Sequence, residues 1–235
     1  TECEKCGKNP VQTGTISKID HNYVNNKCTM CGKEKEQSQV SLKPYEENGK
    51  TYINFGRYPQ TVVTDTNLIN ELDKIITTNS LGYIEYNGNE YKKQVADPGS
   101  SDSIFQNGNE VVDGKTYYFK VEPIKWRVLE TSNGSYKLLS EFTLDSQNFY
   151  TYGFGTRTIN SQTIYPNNYE YSNIRAWLNG YNGTSYGVED YTNKGFIDIA
   201  FTEEEKAIIK TTLVDNSVSS TEYSENQYAC DNTYD

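Results

Sequence analysis

The chain has 235 residues, enough for one ordinary domain and a small companion. Its formal charge of −10 and pI near 4.7 set up a field that repels phosphate backbones and anionic head groups, so nucleic acid is not an expected partner. Only 34% of residues are hydrophobic, but 21 tyrosines, 8 phenylalanines and 2 tryptophans supply contact surface that a disordered chain lacks, and no run of about 20 apolar residues offers a transmembrane segment.

Residues 1–36 carry CEKCGK and CTMCGK, two copies of C-x-x-C-G-K. In each copy two sulfurs converge around a tight turn, and the following glycine permits the backbone that aims amides at thiolates. Val11, Ile16, Ile19 and Val24 are too few to form a core, so another force must hold this segment. The pattern predicts a zinc ribbon with Cys3, Cys6, Cys28 and Cys31 as ligands, where structural Zn²⁺ would contribute on the order of 10 kcal/mol. Two disulfides in an oxidising compartment are the competing reading. His21, seven residues before Cys28, is an alternative ligand or a neighbour of the site. A closed shell of four cysteines disfavours catalytic zinc, and Cys230 is left over.

Residues 37–49 are polar and charged and read as a linker, which places the second domain at 50–235. KTYINFGRYPQ predicts a short strand ending in a turn. Leu68, Leu72, Ile75 and Ile76 recur at helical spacing after Thr66, a candidate N-cap, which predicts a helix over 67–78. Asn87-Gly88 between tyrosine-rich arms is a hairpin signal, whereas ADPGSSDS and QNGN read as loops. KTYYFKVEPIKWRVLE and YKLLS flank residues 131–135 and predict a central hairpin.

Residues 145–170 are polar, rich in Tyr and Asn and without period, an irregular excursion of the kind that often carries function. SNIRAWLNG predicts a helix capped by Ser172 and ended by Gly180. Thr202 and Glu205 have capping-box spacing ahead of Ile208 and Ile209. TTLVDN predicts a strand, and the polar tail after it reads as ending without a further element.

The large domain has no second histidine for acid–base work, and it lacks a phosphate loop, G-x-S-x-G and H-E-x-x-H. Glu122, Glu130, Asp145, Glu189 and Asp190 are candidates for a paired acid site of the glycosidase kind, with solvated surface as the bland alternative. Trp126 and Trp177 sit in apolar patterns that favour the core over sugar stacking. Tyr150, Tyr152, Tyr165 and Tyr169 are candidate contact residues, since tyrosine gives wide contact at low entropic cost, although tyrosine on loops also simply packs them.

FGRYPQ, VEPIKWRVLE with LLS, YSNIRAWLNG, GFIDIAFTEEEKAII and T-x-L-V-D-N, taken in that order, resemble an uncharacterised bacterial domain of unknown function found in secreted and surface proteins. The resemblance runs from about 51 to 216. It implies an α+β fold similar to the C-type-lectin-like domains, which include formylglycine-generating enzymes and hypervariable receptor proteins. Members continue past the position matching Asp235 with further strands, so the expectation is a domain truncated at its C-terminus, with apolar surface over 117–140 short of its cover. Glu122-Pro123 is followed by Ile124 and not by the Asn of calcium-dependent lectins, and Cys230 alone does not supply the cysteine pair of the oxidases.

The resemblance and the composition together imply a non-enzymatic, extracellular or cell-surface bacterial module that binds glycan or protein through irregular loops. An enzyme on the same scaffold and a structural spacer are the alternatives. A start at Thr1 without initiator methionine reads as a mature or trimmed end.

Overall fold

This computed structural model describes residues 23–24, 27–28, 40–99, 102–150, 155–217 and 231–235. The chain divides into two units, Thr1–Gln39 and Val40–Asp235. In the first, β1 (Tyr23–Val24) pairs antiparallel with β2 (Lys27–Cys28), Tyr23 standing opposite Cys28. Cys3, Cys6 and Cys31, the Cys28 side chain, His21, Tyr152 and Cys230 lie outside the described residues.

The second unit is mixed α+β, built on a six-stranded sheet. Residues assigned from sequence to a linker contribute to it. Tyr45–Glu47 is strand β3, turned by Asn48 and Gly49 at positive φ onto β4 (Lys50–Val62), with Tyr45 opposite Tyr52. β4 also runs further than the predicted short strand, because Gly56 and Pro59 are absorbed as register shifts against β7 and do not end it. β5 (Ile84–Tyr86) and β6 (Asn89–Val95) form the expected Asn87-Gly88 hairpin, both turn residues having positive φ.

β7 (Thr116–Ser132) is the spine: β4 lies along one side, while β6 and then β8 (Ser135–Ser140) share the other. Tyr118, Ile124 and Trp126 stand at even spacing on β7 and so share a face, the first two fully buried and Trp126 partly so. On the opposite face Arg127 donates Nε and a terminal nitrogen to Glu141, each at 2.8 Å.

α1 (Thr66–Leu72) is capped by Asp65 and not by Thr66, and it ends earlier than its hydrophobic pattern suggests. Lys74 and Ile75 bond back three residues, to Glu71 and Leu72, which tightens and closes the last turn. Ile75 still packs on the Leu72–Ile84–Tyr91–Tyr118 cluster, but Ile76 is 94% exposed.

Within the irregular excursion, β9 (Arg157–Ile159) and β10 (Gln162–Ile164) form a small hairpin that buries Ile159 and Ile164. α2 (Asn173–Asn179) has the expected ends: Ser172 accepts from Arg175 N and Gly180 is left-handed. α3 (Phe196–Ala200) was not legible in the sequence, and α4 (Glu203–Lys206) follows with the Thr202/Glu205 capping box. The tail does have a terminal element. β11 (Leu213–Val214) pairs with β12 (Thr233–Tyr234), and Arg175 Nε holds Asp235 at 2.6 Å. Among the described residues no helix is long and apolar enough to cross a membrane.

Candidate functional site

Gly56 decides how the helices meet the sheet. At φ +66 it forms a bulge in β4, and a Cβ there would sit 2.5 Å from the Phe201 ring, so only glycine lets that ring lie against the strand. Phe201 then stacks with Phe55 at 4.8 Å and Trp126 at 6.4 Å between ring centres. Glu205 serves two ends of this junction, accepting from Thr202 N at 2.9 Å as a helix cap and from Gly56 N at 3.1 Å across the domain. Trp126 Nε1 is satisfied by Phe55 O at 2.6 Å, and Trp177 is buried with Ala176, Val188 and Tyr191, so both tryptophans serve packing.

Beside Phe201 lies a groove of about 630 Å³, lined by Phe55, Trp126 and Phe201, by residues 134–138 of the β7–β8 hairpin, and by Ile208, Ile209 and Lys210 just past α4. Val40, Leu42, Leu178, Thr212 and the start of α3 complete the lining. α4 ends at Lys206, and Ile208 beyond it is 43% exposed. The lining is mainly apolar, and among the described residues its charged members are Lys137 and Lys210. No local signal marks this groove, because its parts come from five separated stretches of chain.

Of the candidate tyrosines, the three that are described do not line the groove. Tyr150 is half-buried, its ring centre 4.3 Å from the Arg157 guanidinium. That guanidinium also donates to the main-chain oxygens of Tyr171 and Tyr186, and burial lowers its pKa. Tyr169 is half-buried beside Arg175 and Asp235, and burial, reinforced by Asp235, pushes its phenol up to about 12. Tyr165 is half-buried, and its carbonyl accepts from Asn168 N at 3.1 Å.

Glu122, Glu130, Asp145 and Asp190 each have a protein partner of their own. Glu122 and Glu130 lie on one strand, eight positions and about 26 Å apart, well beyond the 5–9.5 Å that paired glycosidase acids need. Glu122 accepts from Thr61 at 2.5 Å, and Glu130 faces Lys137 at 3.7 Å. Asp145 accepts from the Tyr58 hydroxyl; burial and that bond together raise the phenol's pKa. Asp190 caps the turn to Thr192 at 2.9 Å, which lowers its pKa, while the Glu189 carbonyl accepts from Gly183. Among the described residues no three His, Cys, Asp or Glu side chains gather as metal ligands. No family model, curated protein or solved structure matches the chain.

Proposed function

We propose that this chain is a non-catalytic module of a bacterial surface or secreted protein, that it binds a protein partner through the groove, and that residues 1–36 form a zinc ribbon. The carrying observation is an open, mainly apolar groove beside a strand edge, with aromatic rings in its lining. Apolar concavities with few polar groups are where partners bind, and a soluble domain rarely leaves one open without use. The candidate tyrosines support a glycan site less well, because the three described are half-buried and packed in their own loops.

The lectin-like resemblance is carried forward as part of this reading, supported by the mixed sheet and its helices. The β1–β2 pair next to Cys28 supports the ribbon, since such hairpins lead the chain into a zinc knuckle. In the ribbon Zn²⁺ would be structural, replacing the core that the segment lacks.

The test is a screen of the full chain against matrix proteins and glycans, with and without a chelator. A protein hit lost in Ile208→Asp and kept in Tyr150→Ala and Tyr169→Ala is expected. A glycan hit with the opposite dependence overturns the groove. Elemental analysis of protein purified without chelator should give near-stoichiometric zinc that Cys3→Ser/Cys6→Ser loses, and its absence defeats the ribbon.

A further inference from the structure

The occupant of the groove can be specified further, on the footing that the groove is the contact surface. β8 is paired on one side by β7, and among the described residues no main-chain group of Ser135–Ser140 bonds to backbone on the other. Residues 135–138 all line the groove, although successive strand side chains point to opposite faces. The groove therefore reaches the edge of β8 and does not stay on one face. An extended chain seated there would find both apolar side-chain seats and unpaired main-chain groups, the two requirements of strand addition.

Charge narrows the choice. Residues 1–36 hold six lysines against five acids, which leaves −11 on the remainder of the chain, yet the charged residues that line the groove among the described ones are both lysines. Lys210 donates to Ser135 Oγ at the start of β8, and Lys137, 70% exposed further along it, faces Glu130 at 3.7 Å, a surface pair that an incoming carboxylate can replace. We infer that the groove takes an extended segment of a partner protein in which apolar residues alternate with carboxylates, added as a strand to β8. Its apolar side chains rest on Trp126, Leu138 and Ile208, and its carboxylates meet Lys137 and Lys210. A second copy fits poorly, because pairing two β8 edges brings the lysines of the two grooves together.

The experiment uses the full chain and three labelled peptides of roughly eight residues, long enough for one strand, alternating Val–Glu, Val–Ser or Val–Lys, with anisotropy as readout. Val–Glu should bind about tenfold tighter than Val–Ser at low salt, Val–Lys weakest, with the gap closing as salt is added. Lys137→Glu/Lys210→Glu, checked for fold by circular dichroism, should invert the order, and N-methylation of alternate Val–Glu amides should abolish binding. Equal binding of Val–Glu and Val–Lys, or an order unchanged by charge reversal, overturns the acidic occupant. Equal Val–Ser and Val–Glu binding that Ile208→Asp removes overturns it too, but leaves the groove as the contact surface. No binding by any peptide to folded chain overturns both, and light scattering that shows dimers blocking the peptide assigns the groove to a second copy.

Discussion

Among the described residues Arg157 has no carboxylate partner. Its guanidinium donates to the carbonyls of Tyr171 and Tyr186 while one face lies on Tyr150. The irregular excursion and two later stretches of chain thus converge on one planar group. A lysine keeps the charge but, as a single ammonium on a flexible stem, cannot bridge two carbonyls and stack at once. Arg157→Lys should therefore lower stability by about 1–3 kcal/mol, read as a lower urea midpoint with unchanged slope, and speed amide exchange at Asn168 and Ser172. A variant as stable as the parent would show that these loops are held by something else. The same geometry recasts Tyr150. Read from sequence as a contact residue, it is half-buried with its ring centre 4.3 Å from the Arg157 guanidinium.

Among the elements, the junction of α2 and α3 depends most on a single atom. Gly195 leaves no room for a side chain: a Cβ there would lie 2.5 Å from Trp177 O and 2.6 Å from Gly180 N, backbone that cannot rotate away. At Gly88, by contrast, positive φ is the only constraint, since nothing lies within 4 Å. Gly88→Ala should cost about 1 kcal/mol, whereas Gly195→Ala should cost several times as much, measured by thermal melts of both variants. Equal losses would mean that α3 can shift to make room. This contrast also separates what was legible from what was not. Asn87-Gly88, Asn133-Gly134, the Ser172 and Gly180 caps and the Thr202/Glu205 box act within a few residues, so the sequence carries them. β3 is turned onto β4 by Asn48-Gly49, a local signal that the linker reading passed over, whereas α3 is five residues whose N-terminus is held by Asp198 on Gly195 N and by packing on Gly180, and β12 exists only through its distant partner β11. The groove belongs to that second kind, and periodicity does not reveal it.

At the scale of the whole molecule, the chain's tyrosine content becomes a pH limit on its stability. Burial is the largest cause of raised phenol pKa values at Tyr58, Tyr83, Tyr118, Tyr169, Tyr171, Tyr181 and Tyr191, spread over both the sheet and the helical side. Tyr83, Tyr169 and Tyr171 are pushed up to about 12, against an ordinary value of 10. Above pH 10 the unfolded chain loses these protons while the folded chain keeps them, so the unfolded state binds fewer protons and stability falls as pH rises. The stability concerned is fully present below pH 10 and is lost progressively as pH rises towards 12, and because these phenols are spread over the second unit, its structure should weaken across that window. Circular dichroism and tyrosine ultraviolet absorbance should then change together. Tyr83 supplies the control: it is 1% exposed, and its hydroxyl has no hydrogen-bond partner among the described residues. Tyr83→Phe removes an ionisable group without breaking a bond, so it should leave stability at neutral pH within about 1 kcal/mol of the parent and move the alkaline midpoint upward. Phenols that titrate near pH 10 in a chain whose ellipticity is unchanged would show that the tyrosine rings are not buried as described.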